Sequence, residues 1–302
     1  LIPALPLGGV RRLARPLAAV AYAFDRRGRT VAGANLRVMF GRRLTPARER
    51  AIIRHAYRNM VRVLLDMFWL SRDTRARVLT LAQIPPDLLH TLQTGGPLIA
   101  VSAHLGNWEI LSQACVAHGI PMVSVAKRIG SPGMTERLTR LRSTIGQRIV
   151  PSEGALRPLM HALKSGISIG LLVDQHVPVG QGGVWADFFG LPTGISSAPA
   201  AFSRKFGVPI VFAWSRPLRN GRYRIERAAL FTPGDGTDDA ARTRQLAAAF
   251  ERVIRRHPSL WCLNYRRWKY IRPGDAAARY PFYARPSRRA ETADENWRAN
   301  LR

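Results

Sequence analysis

Three observations in the 302-residue sequence predict an α/β fold: a mostly parallel central sheet flanked by helices, with an N-terminal helical annex. Short apolar runs of the kind that form strands buried on both faces recur at 98–103 (LIAVSA), 121–125, 167–173 and 208–214. Between them lie stretches with apolar residues at helical spacing, so strand and helix alternate as parallel βα units require. Residues 1–75 carry helical periodicity only.

The elements follow in order. Residues 1–24 are apolar but interrupted by Arg11, Arg12 and Arg15, so no run reaches the roughly 18 uncharged residues of a spanning helix. Leu13, Leu17, Val20 and Phe24 recur on one helical stripe with arginines opposite. Helices lying in a membrane interface and helices packed on a domain share that pattern. Residues 35–40 end a second helix at Gly41. Thr45 before Pro46 is an N-cap signal, and Ile53, Ala56, Tyr57, Met60, Val61, Leu64, Leu65 and Phe68 form one apolar stripe along a helix over 46–70. The turn Gly95-Gly96-Pro97 precedes the strand 98–103, and 107–118 is helical up to Gly119. Strand 121–125, a basic helix over 137–145, a short strand at 148–150 and a helix over 155–164 come next. Ser165-Gly166 turns the chain into strand 167–173. Helix 196–206, strand 208–214, an alternating edge strand at 223–226 and a long helix over 238–256 complete the pattern. After Tyr270 the periodicity fades, and 284–302 reads as a loosely held polar tail. The expected division is 1–75, 76–275 and 276–302.

With 47 Lys and Arg against 19 Asp and Glu, the formal net charge is +28. Such an excess favours a polyanionic partner: an anionic membrane, an acidic protein or nucleic acid. The arginines are dispersed and no helix-turn-helix, zinc-finger or RNA-recognition pattern is present, so no nucleic-acid partner is expected. Cys115 and Cys262 stand far apart without ligand-like spacing; they fit a reducing compartment and say nothing about metal.

The junction 101–109 (VSAHLGNWE) carries the chemistry. It places His104 at the carboxyl end of a buried strand, where open α/β sheets bind their ligands. Gly106 frees the chain for a tight turn into the helix, from whose first turn the Glu109 carboxylate is expected to reach back to the imidazole. A carboxylate on one ring nitrogen fixes the tautomer and raises the basicity of the other, which makes a general base for a hydroxyl. The same spacing also suits a local hydrogen bond without catalysis, and metal binding is disfavoured by the lack of further ligands. Asp174 and Gln175 follow strand 167–173 and also sit at a carboxyl end, either touching a substrate or holding a loop. Cys115, inside an apolar helix, reads as core, and His176 as a bystander.

These residues bear a family resemblance. His104-Leu-Gly-Asn-Trp-Glu109 resembles the H-x-x-x-x-D/E motif of the lysophospholipid acyltransferase superfamily, closest to its late lipid A biosynthesis (lauroyl and myristoyl) branch. Lys127-Arg128 with Arg137, Arg140 and Arg142 is similar to that branch's second block, and Asp174-Gln175 to its D-Q block. Gly182-Gly183-Val184 with Asp187-Phe188-Phe189-Gly190, and His257-Pro258 with Trp261 and Arg266-Arg267-Trp268-Lys269, are similar to its later blocks. The blocks occur in the family's order across roughly residues 30 to 270. Departures are Ser131-Pro132 where Asn-Pro is common, Asn264-Tyr265 where Leu-His is usual, and no clean hydrophobic N-terminal span.

The resemblance implies a glycerolipid acyltransferase-like fold and a membrane-associated enzyme. It would move a fatty acyl chain from acyl-ACP (or acyl-CoA) thioester to a lipid hydroxyl, by default on a lipid A precursor. His104 and Glu109 would form the catalytic dyad. Arg128, Asp174 and Gln175 would serve the oxyanion or bind substrate, while Trp108, Phe188, Phe189 and Trp268 would line an acyl pocket or touch the membrane. No cofactor is implied. The partners would be acyl carrier protein, anionic membrane lipids and the lipid acceptor, at the cytoplasmic face of the inner membrane. The alternatives are a lysophospholipid, ornithine-lipid or phosphoinositide mannoside acceptor, or a non-catalytic basic protein binding membrane or nucleic acid.

Overall fold

The four apolar runs become neighbouring strands of one sheet. In the computed structural model, which describes residues 1–128 and 130–287, the helices are α1 (Leu7–Phe24), α2 (Arg26–Phe40), α3 (Pro46–Trp69), α4 (Thr74–Leu81), α5 (Pro86–Thr94), α6 (Glu109–Ala117), α7 (Pro132–Ser143), α8 (Leu156–Lys164), α9 (Ala198–Phe206) and α10 (Asp239–Arg256). The strands of the main sheet and of a separate hairpin are β1 (Ala82–Gln83), β2 (Ile99–Ser102), β3 (Met122–Ala126), β4 (Arg148–Pro151), β5 (Ser168–Leu172), β6 (Gly183–Phe188), β7 (Leu191–Ser196), β8 (Ile210–Pro217) and β9 (Tyr223–Phe231), and two short strands, β10 (Tyr270–Ile271) and β11 (Arg285–Pro286), pair with one another. The main sheet has seven strands in the order β1-β9-β8-β2-β5-β3-β4, parallel except where β8 meets β9. The chain steps one way from β2 through β3 to β4 and then back through β5 to β8. Right-handed crossovers therefore place α6 and α7 on one face and α8 and α9 on the other.

The strands alternate in size as well as direction. Toward α8, α9 and α10 they present Ile99, Val101, Val123, Ile169, Leu171, Ile210 and Phe212, all in one continuous buried core with Leu159, Phe202 and Phe250. Toward α6 they present Ala100, Ser102, Ser124, Ala126, Ser168, Gly170 and Ala213, with Met122, Leu172 and Val211 the larger exceptions. In the register Ala100 lies between Gly170 and Val211, and Gly170 between Ala100 and Ser124. Side chains this short leave space beneath the helix layer, although Ser124 still reaches it, its Oγ 2.9 Å from Ser112 Oγ of α6.

Side chains cap the starts of several helices. Thr45 accepts from Arg48 N (3.3 Å) to start α3, Asp25 accepts from Gly28 N (2.7 Å) to start α2, and Asp238 accepts from Ala241 N (2.6 Å) to start α10. Helix α1 lays Val10, Ala14 and Ala18 on α3 and leaves Leu17, Val20 and Phe24 41%, 54% and 84% exposed. Both expected patterns thus coexist on one helix, packed along one side and apolar to solvent along another. Among the described residues no helix is long and apolar enough to cross a membrane.

The helices α4 and α5, the strand β1 and the β6–β7 hairpin go beyond the elements that the sequence pattern predicts. The hairpin strands contain Gly183, Pro192 and Gly194, which blur the period-two pattern. Its two-residue turn is Phe189-Gly190, with φ of 56° and 75°, the positive values of a type I′ connection. The expected tail at 284–302 falls largely outside the described residues.

Candidate active site

His104 is turned out of the sheet by a three-residue γ-turn in which Leu105 N donates to Ala103 O at 2.7 Å. The loop beyond it is tied down on several sides. Gly106 N donates to Leu260 O (3.0 Å), Cys262 N to His104 O (2.9 Å) and Asn107 N to Ser215 Oγ (2.7 Å), while Ser215 Oγ donates back to Asn107 O (2.8 Å). Asn59 of α3 donates through Nδ2 to both Gly106 O (2.9 Å) and Leu260 O (3.1 Å). Gly106 has φ +64°, and a Cβ there would sit 1.9 Å from Ser215 O, so no other residue fits this turn. Asn107 Nδ2 also donates to Asp66 Oδ2 (3.0 Å), a fully buried carboxylate that accepts from Tyr223 Oη (2.6 Å) and pairs with Arg11 of α1.

The carboxylate that holds His104 is Asp174, which corrects the expected dyad. His104 Nδ1 lies 2.7 Å from Asp174 Oδ1, whereas both oxygens of Glu109 are taken by Arg142 of α7 (Nε to Oε2 2.8 Å, Nη2 to Oε1 2.7 Å). The reason is positional. Asp174 follows β5, which is hydrogen-bonded to β2, so the two carboxyl ends are adjacent. Glu109, in the first turn of α6, faces the neighbouring helix, and Trp108 Nε1 also donates to its Oε1 (3.2 Å).

Asp174 is itself clamped. Its Oδ2 accepts from Trp261 Nε1 (2.9 Å) and pairs with Arg267 Nη2 (3.1 Å), and Asp174, Trp261 and Arg267 are 3%, 2% and 1% exposed. Burial alone would raise its pKa; the charges of His104 and Arg267 and the hydrogen bonds from His104 and Trp261 outweigh this and hold the carboxyl well below the usual range. An ionised Asp174 accepts the Nδ1 proton, so in the neutral ring it is Nε2 that carries the lone pair, toward the cavity. Gln175 Nε2 stands 3.4 Å from that nitrogen, and the Trp108 ring is 5.1 Å from the imidazole.

His104 opens on a cavity of about 960 Å³. One arm runs beneath α6 along the small-residue face, past Ala100, Ser124 and Gly170 to Leu98, Ile120, Leu88 and Leu92 at the amino ends of the strands. A second, shallower arm turns over the carboxyl edge to Val101, Leu171 and Val173, where Leu159 and Phe202 border it. The two arms share a rim that includes Lys127 and Arg128, both exposed.

The other expected site residues divide. Trp108, Arg128 and Gln175 line the cavity, with Arg128 at the rim. Phe188, Phe189 and Trp268 do not: they are 1%, 7% and 0% exposed and pack behind Asp174, Phe188 against Trp261 and Trp268. Trp268 Nε1 donates to Leu191 O (3.2 Å), so the aromatic and basic cluster is structural packing for the clamp and not a membrane contact. Cys115 borders the cavity, and burial pushes its thiol up to about 12, which keeps it protonated and poorly nucleophilic. His176 is kept neutral by burial, then by Lys269 and Arg267, which bring it down to about 4. Among the described residues no cluster of His, Cys, Asp and Glu is arranged to hold a metal ion. The roles of Trp261 and Arg267 as Asp174 partners, and of Asn59, Asp66 and Ser215 as loop holders, are long-range contacts without a local sequence signal.

A family model described as bacterial lipid A biosynthesis acyltransferase matches residues 1–270. The phosphatidylinositol mannoside acyltransferases of two Mycobacterium tuberculosis strains are each 26% identical over 183 residues, which is 59% of this chain and 56% of the relative. The match thus spans little more than half the length of these relatives.

Proposed function

Because the chain belongs to the bacterial lipid A biosynthesis acyltransferase family, we propose that it is a membrane-surface O-acyltransferase that moves a fatty acyl group from a thioester to a lipid hydroxyl, with His104 as general base. The observation that carries this reading is the Asp174-held imidazole at the head of a deep, mostly apolar cavity.

The chemistry follows from the tautomer. His104 Nε2 takes the proton of the acceptor hydroxyl as its oxygen attacks the thioester carbonyl. Charge passes to the carbonyl oxygen in a tetrahedral intermediate, and the C–S bond then breaks. The departing thiolate recovers the proton from His104, so no acyl-enzyme is required. Asp174 holds the ring and stabilises the imidazolium that forms between these steps. Glu109 stays in the scheme through Arg142, as the pair that fixes the first turn of α6 beside the imidazole.

Acyl carrier protein suits the donor role, because an acidic partner is steered by a chain of net charge +28. The exposed stripe Leu17, Val20 and Phe24 on α1, flanked by Arg12 and Arg15, suits contact with an anionic membrane interface on the cytoplasmic side. For the acceptor, the family description supports a lipid A precursor, and the names of the mycobacterial relatives support a phosphoinositide mannoside.

The test is to incubate the protein with labelled acyl-carrier-protein thioester and lipid A precursor or phosphatidylinositol mannoside in separate vesicles, beside His104→Ala. Label is expected in one lipid, with the variant slower by roughly 10²- to 10⁴-fold and unchanged in folding and vesicle binding. Transfer by His104→Ala at the wild-type rate would refute the general-base assignment.

A further inference from the structure

We infer that the cluster of Gly170, Ser112 and Ser124 gauges the length of the acyl chain this protein carries, an inference that rests on the acyltransferase reading above. The deep arm runs along the strands from Ser102, beside His104, to Leu98, Ser168 and Met122 at their amino ends. Four residue steps at about 3.3 Å make this floor roughly 13 Å long. The shallow arm is bordered by Val101, Leu171 and Val173 but by none of Ile99, Ile169 or Val123, so the lining reaches the amino ends of the strands only on the small-residue face.

Gly170 lies midway along that floor. A Cβ added there would stand 2.7 Å from Ser124 Oγ, 2.9 Å from Ser112 Oγ and 3.5 Å from Met122 Cε. The two hydroxyls rest directly on glycine backbone because nothing projects from it. Any side chain at 170 would drive them outward, into the arm that both residues line. The hydroxyls bond one another at 2.9 Å, so each has a partner already and neither demands a polar ligand from the channel. Beyond them Met122, Cys115, Ile120, Leu88 and Leu92 close the arm with apolar groups suited to a methyl terminus. A constriction at mid-channel backed by a flexible methionine is a gauge: bulk at the constriction shortens the usable arm, and loss of the methionine lengthens it.

The experiment sets a ladder of saturated acyl-carrier-protein thioesters in competition and reads the chain lengths transferred by mass spectrometry. In parallel, thermal shift with the matching free fatty acids reads the cavity without any chemistry. Gly170→Ala and Ser124→Val are expected to move both optima to shorter chains, and Met122→Ala to longer ones. Each methylene that no longer fits should lose about fourfold in kcat/KM, the equivalent of ~0.8 kcal/mol. Ser124→Val keeps a residue suited to a strand, so one narrowing variant remains if Gly170→Ala does not fold. Folded variants that slow every chain equally, or leave both optima in place, would overturn the gauge. A fatty-acid optimum that shifts as expected while no thioester is ever transferred would uphold the gauge and count against the acyltransferase reading.

Discussion

Toward α8, α9 and α10 the sheet presents Ile99, Val123, Ile169 and Phe212; toward α6 the same four strands present Ala100, Ser124, Gly170 and Ala213. The backbone is common to both faces, and only the size of alternate residues differs. On the first face each large side chain contributes roughly 1.5–3 kcal/mol by burial and the layer closes. On the second the missing volume becomes a cavity that runs to His104. A single sheet thus keeps its stability on one side and its ligand space on the other, and the catalytic loop sits where the two meet.

The comparison breaks most readily at that shared edge. Asp174→Asn removes the carboxylate from His104 and also leaves Arg267 without its buried counter-charge. The expected loss is roughly 10²- to 10⁴-fold in kcat with about 3–5 kcal/mol of stability, read by transfer assay and urea unfolding. Glu109→Gln is expected to spare most of the rate, because it disturbs only the Arg142 pair; a collapse in Glu109→Gln with near-normal Asp174→Asn would restore the original dyad. The acid response has a definite sign. The folded pKa of Asp174 is depressed, so its stabilisation is fully present above the ordinary value of 3.8 and fades as pH falls below it toward the folded value.

The next effect separates the faces themselves. Phe212→Ala, on the packed face, should cost about 3–5 kcal/mol in unfolding and leave the preferred chain length alone. Replacing Ser112 and Ser124 together by Ala removes both partners of one hydrogen bond and should cost under ~1.5 kcal/mol while altering chain preference. Equal stability losses from the two would dissolve the distinction.

The smallest effect lies in pH dependence. His176 is brought down to about 4 by burial, Lys269 and Arg267, so the unfolded chain takes up its proton first on acidification. Stability tied to this group is full above 6.5 and is lost as pH falls from there toward about 4. His176→Gln should flatten that limb of a melting-temperature profile, with His257, also held down by burial, leaving a residual slope. An unchanged slope would show that His176 is accessible to protons in the folded state.

Much of this was legible in advance, for identifiable reasons. The four central strands were visible as apolar runs because both of their faces are covered, and Thr45, Ser165-Gly166 and Asp238 punctuate helices by local chemistry. His104 was found because a strand end is a local feature. Sequence proximity favours Glu109 as its partner; strand order, a non-local property, decides for Asp174. Phe188, Phe189 and Trp268 looked like pocket or membrane aromatics because composition does not reveal which side of a clamp a ring occupies. The small-residue face was written in IAVS, MVSVA and SIGLL, but its meaning emerges only once the strands are laid side by side in register.

The buried pairing of Arg11 with Asp66 reaches, through Asn107, into the loop that carries His104. An N-terminal truncation meant to dissect membrane attachment would therefore dissect catalysis as well, because it strands Asp66 without its cation and loosens the loop behind the imidazole. Loss of turnover in such a truncation would carry no information about lipid contact. Polar replacements at Leu17, Val20 and Phe24, which spare Arg11, are the changes that separate anchorage from turnover.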